Sequence, residues 1–271
     1  MKKHLLVIII AILYSANLYA GFPVGKGRTV FSLAYSYFYS DHFFDNSGSF
    51  QKSESIFSSH YASVFVAHGL SRRFDLSATL PYIYESSYNS KQTISRHGFS
   101  DAQLALSYTI PNKLYNEFTS FKVAEIIPLS HGIAPMPISY DAYGMEFSIN
   151  YAKGRKSLRH RGFFSVEWAY RHYFSLDGPD QYLFNIQRFT SISRYAYISY
   201  GLNSTYSTST NSLNQSSYNA SKDFYNVQLK LSLCRRIRRN MTVYLEGFVT
   251  PLGRNTGAGI GASAFTVMRI P

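Results

Sequence analysis

The sequence contains little cysteine, tryptophan or charge. Its 271 residues include one cysteine, Cys234, and one tryptophan, and only 15% of them are charged. A single cysteine excludes an internal disulfide and any metal site built from several thiolates, so we interpret Cys234 as a small strand residue. No two histidines stand at metal-ligand spacing either, and the sequence therefore predicts no metal and no other cofactor.

Long apolar runs are also missing after the first 20 residues. Lys2 and Lys3 precede an apolar stretch from Leu5 to Leu13, and a region of small residues ends at Ala20. This order is typical of a secretory signal peptide, so residues 1–20 are predicted to be removed and residues 21–271 to form one domain. No later stretch reaches the ~20 apolar residues of a transmembrane helix. A membrane-spanning mature chain would therefore cross the bilayer with strands.

Period-two alternation is the main structural signal in the rest of the chain. In the run from Tyr225 to Cys234, the odd positions are apolar and the even positions are polar or small. This pattern indicates a strand that faces lipid with Leu229 and Leu231 and the interior with Gln228 and Lys230. Twelve segments have strand character, most of them long enough for the ~9–11 residues of a tilted transmembrane strand. They lie at about residues 28–40, 55–68, 74–82, 102–108, 117–128, 143–152, 164–171, 181–191, 195–207, 225–234, 241–250 and 257–269.

Three of these segments leave their facing open, and one of them is the ninth, 195–207, which is rich in tyrosine. The second, 55–68, alternates too weakly for an outward face to be chosen. In the fifth, Glu125 shares the parity of Phe121, Val123 and Ile127. Either this strand contains a bulge, or one carboxylate points to the apolar side.

The connections between the segments alternate between short turns and longer polar loops. Long loops are predicted at residues 41–53, 85–97, 129–142 and 208–221. An even number of strands returns both termini to the periplasm and brings the long loops to the other side, as in outer-membrane barrels. The sequence therefore predicts an all-β fold, a single transmembrane antiparallel β-barrel of 12 strands. A secreted β-sandwich alternates likewise, but strands of ten or more residues and an aromatic content of 17% favour the barrel.

The stretch from Gly69 to Ile110 also resembles a known family. It contains a Gly-Leu-Ser-Arg turn beginning at Gly69, the triplet Leu80-Pro81-Tyr82, and Gly98-Phe99-Ser100-Asp101 at the start of the next strand. These residues resemble the outer-membrane transporters linked to the meta pathway of phenol degradation. The resemblance implies an outer-membrane barrel for the uptake of small, hydrophobic or aromatic solutes. Because its motifs mark turns and strand starts, it assigns no binding residue.

Seven polar side chains are assigned to the interior of the barrel by alternation. Charges of both signs inside a barrel can pair with one another or line a water-filled path, and we favour pairing because an ionised group there must be solvated or paired. The predicted interior residues are Asp75, Glu146, Glu167, Arg171, Gln228, Lys230 and Glu246.

The last segment has unusual ends. Gly257, Gly259 and Gly261 stand at alternate positions and leave one face of it bare. A bare face permits the close approach of another segment, such as the mature N-terminus inside the lumen. The run from Ala264 to Pro271 resembles the ending that the barrel-assembly machinery reads but lacks its usual final aromatic residue.

Three functions are compatible with such a barrel. The first is an outer-membrane channel or uptake protein for small solutes, with outer-membrane lipid, the barrel-assembly machinery and a small-molecule solute as partners. The second is a structural or surface-interaction barrel that uses its Ser-, Asn- and Tyr-rich loops. The third is an outer-membrane lipase, for which His60 with Ser58 or Ser59 is the nearest catalytic arrangement. One serine near one histidine is expected by chance in so serine-rich a chain, so we expect a non-enzymatic protein.

The basic net charge does not change this interpretation. The formal charge is +12, and loss of Lys2 and Lys3 with the signal peptide lowers it to +10. Such a balance can indicate nucleic acid or an anionic membrane surface. The export signal argues against nucleic acid, and most of the excess lies in predicted periplasmic turns.

Overall fold

The fold consists of strands and their connections. A computed structural model describes residues 23–89, 92–112, 116–129, 138–156, 161–176, 178–209 and 222–271, so the predicted signal peptide lies outside the described residues. Within these ranges, no helix is long and apolar enough to cross a membrane. The strands are β1 (Thr29–Phe44), β2 (Phe50–Gly69), β3 (Phe74–Tyr88), β4 (Thr93–Phe99), β5 (Ala102–Pro111), β6 (Glu117–Ile127), β7 (Gly144–Lys156), β8 (Arg161–Tyr173), β9 (Asp180–Ser191), β10 (Ala196–Thr208), β11 (Phe224–Arg238), β12 (Met241–Arg254) and β13 (Thr256–Ile270).

The strands close into one antiparallel barrel. Consecutive strands pair along the chain, and β1 also pairs with β13 from Thr29↔Ile270 to Phe44↔Thr256. β4 and β5 share a single place, because β3 pairs with β5 over residues 74–79 and with β4 over residues 82–88. The thirteen strands therefore fill twelve positions around the barrel, which confirms the predicted fold.

The outer face of the barrel is apolar and the inner face is polar, which is the reverse of a soluble protein. Many large apolar side chains on the outer face are 40–52% exposed, whereas serine, glutamate and arginine side chains on the inner face are buried. An apolar outer face is stable in contact with lipid. Lipid also requires every backbone N–H and C=O group to be hydrogen-bonded within the sheet, and the closed barrel meets this requirement because it has no free strand edge. The closed barrel and its apolar surface place the protein in the outer membrane. The exposed apolar residues include Leu33, Leu76, Leu104, Phe121, Phe147, Trp168, Phe184, Leu229, Leu231 and Leu245.

The connections at the two ends of the barrel differ in length. Residues 70–73, 192–195 and 239–240 form short turns on the side of both termini. The strand ends that flank the two longest connections, at Ile127 and Gly144 and at Thr208 and Phe224, lie at the opposite end. Most of the predicted 208–221 loop lies outside the described residues.

Two predicted loops are wrong, because strands occupy most of them. β1 continues to Phe44 and β2 begins at Phe50, while β3 continues to Tyr88 and β4 begins at Thr93. The remaining connection after β1 is held by Asp45, whose carboxylate accepts hydrogen bonds from the backbone N–H groups of Ser47 at 2.8 Å and Ser49 at 2.9 Å. Hydrogen bonds from the Ser47 side chain and from these backbone groups hold the pKa of Asp45 below its usual range. Alternation fails here because both faces of a strand that extends beyond the bilayer meet water.

The structure also resolves the three ambiguous strands, and it places Asn203 of β10 on the inner face. β6 pairs without a register shift, so it contains no bulge, and Glu125 lies exposed on the outer face near the end of the strand. On β2, Val64 and Val66 face outwards while Ser63 and Phe65 are buried on the inner face. Because Glu125 points outwards, Lys122 on the same strand points inwards.

Candidate functional site in the barrel interior

Four charged side chains from three adjacent strands form a group that we call the ion cluster: Lys122 on β6, Glu146 on β7, and Glu167 and Arg171 on β8. Cross-strand pairing sets Glu146 opposite Arg171. Glu146 Oε2 accepts hydrogen bonds from Arg171 Nε at 3.0 Å and Nη2 at 2.6 Å, and its Oε1 lies 2.9 Å from Lys122 Nζ. Lys122 Nζ is also 3.6 Å from Glu167 Oε1. Two cations and two anions therefore neutralise one another.

The ion cluster is almost fully buried. Glu146 is 3% exposed, Glu167 6% and Arg171 9%. Buried ion pairs are strongly destabilised when one partner is removed, because the other charge is left without compensation. The cluster therefore ties three strands together at the inner wall and exposes little charge to the lumen.

A second charged pair lies on β11 and β12. Lys230 Nζ is 3.6 Å from Glu246 Oε1, and Glu246 Oε2 accepts a hydrogen bond from Ser232 Oγ at 2.6 Å. With the Asn203 carboxamide turned so that its oxygen faces Lys230, that oxygen accepts from Nζ at 2.6 Å and its nitrogen donates to Asn185 Oδ1 at 3.1 Å. The amides of neighbouring strands thus extend the charged pair into a polar network.

The connection between β6 and β7 contributes to the interior. The ring of Tyr140 packs edge-on against Tyr173 with centroids 4.8 Å apart, and Tyr140 OH accepts a hydrogen bond from Gln181 Nε2 at 3.2 Å. Ala142 is buried beside Ile126 and Tyr173. The 129–142 connection, predicted as a surface loop, therefore packs inwards over its described part; residues 130–137 lie outside the described residues. The structural reason is that Tyr140 and Ala142 find apolar partners at the barrel wall.

Aromatic side chains form two further groups inside the barrel. Phe38 stacks on Phe248 at 5.9 Å between ring centroids and meets Phe57 edge-on at 6.1 Å. Towards the end of the barrel that carries both termini, Phe163 stacks on Phe189 at 4.1 Å and Tyr244 on Phe265 at 4.4 Å, and an edge contact at 6.5 Å between Phe189 and Tyr244 joins the two stacks. These rings give parts of the inner wall an apolar surface.

The glycines of the last strand make room for these rings. A Cβ atom on Gly259 would lie 2.5 Å from Phe38 Cζ, and one on Gly261 would lie 2.5 Å from Phe248 Cε1. The expectation that the N-terminal segment covers this glycine face is therefore wrong. That segment packs instead against Gly69, where an added Cβ would lie 2.0 Å from the carbonyl oxygen of Gly25.

Asp75 holds the N-terminal segment at the inner wall. Its Oδ2 accepts a hydrogen bond from the backbone N–H of Val24 at 3.1 Å. Val24 is buried in an apolar group with Val30, Phe65 and Ala67. Residues 23–28 therefore occupy part of the lumen beside β1, β2 and β3.

The seven predicted interior residues thus separate into groups. The structure brings Glu146, Glu167 and Arg171 together, and Lys230 together with Glu246. Asp75 lies apart, at the N-terminal segment, and Gln228 is half-buried next to the amide network. The sequence predicted that interior charges pair but did not predict which ones. Arg171 forms its ion pair with Glu146 and not with Glu167, its near neighbour in the sequence.

Sequence reasoning missed Lys122, the side chain that joins Glu146 to Glu167. The outward position of Glu125 concealed the parity of β6. Reading the strand from Phe121, Val123 and Ile127 alone would have turned Lys122 inwards. The sequence analysis also missed the interior ion pair between Glu85 and Arg96, because it assigned both residues to a loop.

The arrangement does not assemble the serine site of a lipase around His60. Within the described part of β2, His60 Nδ1 lies 2.7 Å from Tyr35 OH on the outer face and makes no hydrogen bond with Ser58, which shares that face. Ser59 is buried on the opposite face of the same strand. Among the described residues, no group of three or more His, Cys, Asp or Glu side chains is placed to hold a metal ion.

Comparison with known proteins gives similarity in fold. No protein-family model matches the sequence, and no curated protein matches it. A solved outer membrane channel from Pseudomonas putida F1 superimposes with a TM-score of 0.69 at 11% identity, over 90% of this chain and 96% of that one. The NanC porin gives 0.53 at 8% identity, over 89% and 100%. The β domain of the Bordetella autotransporter BrkA gives 0.55 at 10% identity, over 90% and 100%. At these identities the likeness shows the outer-membrane barrel fold, which channels and autotransporters share.

Proposed function

We propose that the protein is a passive channel that admits small solutes through the outer membrane. The observation that supports this function is the half-buried polar wall of β9 to β11, which faces the interior of a closed barrel. A barrel that served only as a scaffold could fill its interior with apolar side chains and would need no such accessible polar surface. Asp75, Glu146, Glu167, Arg171, Gln228, Lys230 and Glu246 are the proposed lumen residues.

Conductance is the direct test of this proposal. The purified chain, folded into a planar lipid bilayer, should carry a steady ion current in potassium chloride. A chain that inserts as a heat-modifiable barrel and carries no current would refute the channel and leave the structural barrel as the better account.

We extend the proposal to hydrophobic or aromatic solutes, the class that the sequence resemblance implies. The half-buried rings of Phe38 and Phe57 are an interior surface that such a solute could contact. Sodium benzoate should then reduce the ion current in a saturable manner, and Phe38→Leu should weaken that effect. Equal reduction by benzoate in both proteins would remove these rings from the solute path.

The remaining proposals concern processing and assembly. We propose that cleavage follows Ala20, which N-terminal sequencing of protein from the outer membrane tests. We also propose insertion by the barrel-assembly machinery, with β13 as the closing strand. Depletion of that machinery should remove the folded form from the membrane.

A further inference from the structure

Five carboxamide side chains share the inner face of β9, β10 and β11. We call them the amide wall: Asn185, Gln187, Asn203, Asn226 and Gln228. We infer that the amide wall, together with the adjoining Phe38–Phe248 stack, binds a neutral polyhydroxylated solute of the size of a monosaccharide. This inference rests on the proposed channel function and adds a second solute class to the hydrophobic or aromatic one proposed for the same lumen.

Backbone register brings the amides together. Asn185 pairs across to Asn203, and Asn203 pairs across to Gln228, so three consecutive strands carry an amide in one row. Gln187 stands one inward position along β9 from Asn185, and Asn226 one inward position along β11 from Gln228. Directly opposed side chains in a sheet have Cβ atoms about 4.5–5.5 Å apart. The wall therefore offers several hydrogen-bonding groups within the reach of one small molecule.

The amide wall is the accessible polar surface of this part of the lumen. All five amides are half-buried, whereas Glu146, Glu167 and Arg171 of the ion cluster are less than 10% exposed. The carboxylates and cations of the cluster bind one another. A solute that passes through the barrel therefore meets the amides more readily than it meets the clustered charges.

The chemistry of the wall favours hydroxyl groups over ions. A carboxamide both donates and accepts hydrogen bonds and carries no charge, and a hydroxyl group has the same two capacities. Two charges lie beside the wall, and both have partners. Glu167 pairs across to Asn185 and is 3.6 Å from Lys122. Lys230 is occupied by Glu246 at 3.6 Å and by Asn203 at 2.6 Å. An anion would have to displace these partners, whereas a hydroxyl can replace water at the amides.

An aromatic platform adjoins the wall. Lys230 pairs across to Phe248 on β12, and Phe248 stacks on Phe38 with ring centroids 5.9 Å apart. Phe248 is buried at 6% exposure and supports Phe38, whose half-buried ring is the part of the platform that faces the lumen. Binding sites for small molecules commonly combine apolar ring surfaces with a few placed polar groups. The face of a sugar ring carries C–H groups and its edge carries hydroxyls, so it matches the platform and the wall at once.

The inference is tested with D-glucose as the probe. The full mature chain is placed in a planar bilayer, and the ion current is recorded while glucose is raised on one side. Glucose should reduce the current in a saturable manner, whereas dimethyl sulfoxide, a neutral solute without hydroxyl groups, should lower it only in proportion to viscosity. The double variant Asn185→Ala/Gln228→Ala should weaken the apparent glucose affinity about tenfold, the effect of one or two neutral hydrogen bonds.

Two controls make the result decisive. Ser204→Ala alters the outer face of β10 and should leave glucose affinity unchanged. Phe38→Leu alters only the platform and should weaken binding even if the double variant folds poorly. A conducting wild-type chain on which glucose acts like dimethyl sulfoxide would overturn the inference and leave the channel function standing. A glucose affinity that is the same in the double variant, in Phe38→Leu and in the wild type would overturn it as well. A folded chain without current would instead refute the channel itself.

Discussion

The ion cluster and the amide wall occupy different parts of the same inner surface and differ in burial and charge. On β6 to β8, two cations and two carboxylates are buried and bonded to one another. On β9 to β11, neutral amides remain half-buried. The comparison teaches that charge in a barrel lumen does not by itself mark the solute path. Charges that satisfy one another hold the wall together, and the groups left accessible are the ones that can contact a solute.

The largest expected effect is the loss of the central carboxylate of the cluster. Glu146→Gln leaves Lys122 and Arg171 buried beside a neutral group, which should lower the free energy of unfolding by about 3–5 kcal/mol. Urea unfolding in lipid vesicles measures this change in the free energy of unfolding. Glu125→Gln, the same change on the exposed outer face of β6, is the matched control and should cost less than about 1 kcal/mol. Equal stabilities of the two variants would show that the cluster contributes nothing to the fold.

The next effect contrasts the two faces of β11. Leu229→Arg places a charge on the lipid side and should cost about 2–4 kcal/mol near the midplane, whereas Gln228→Arg on the inner face should be mild. Folding yield in lipid distinguishes them. If both variants fold equally well, the assigned register of β11 is wrong.

Ion preference should respond to the charge beside the amide wall. Lys230→Glu places an acidic group where a cation stood, and fixed charges in a confined path attract counter-ions strongly. The reversal potential in a salt gradient should shift towards cations. Deletion of part of residues 208–221 should leave it nearly unchanged, and a larger shift from the deletion would assign ion preference to the loop.

The smallest expected effect concerns the N-terminal segment. Asp75→Asn keeps an acceptor for the Val24 N–H but removes its charge, which should weaken this contact by about 1 kcal/mol. Hydrogen exchange at Val24 should become roughly fivefold faster. Exchange at an amide in the middle of β10 should not change, since that strand is distant from the segment.

Much of the fold could be predicted because membrane and interior impose opposite demands on successive residues. The inward facing of Glu146, Glu167 and Arg171 followed from Phe147 and Trp168 on the other face. The prediction failed where those demands vanish. Glu85 and Arg96 lie where the strands leave the bilayer, so neither face has to be apolar and the alternation that would reveal a strand disappears.

The candidate site was less predictable than the fold. Alternation gives the side of the sheet to which a residue points, but not the neighbour to which it bonds. Arg171 could have paired with Glu167, but the register between β7 and β8 places it opposite Glu146 instead. The amide wall escaped recognition because Asn203 lies on β10, where tyrosines and serines fall on both parities and hide the inner face.

The lone thiol of the chain has a practical consequence. Cys234 is 3% exposed on the inner face and pairs across to Tyr197 on one side and Tyr244 on the other. The native protein therefore carries a built-in reporter at a single known position. A thiol-reactive dye should label the unfolded chain and spare the folded one, so the labelling rate follows any opening of the wall between β10 and β12 without an engineered probe.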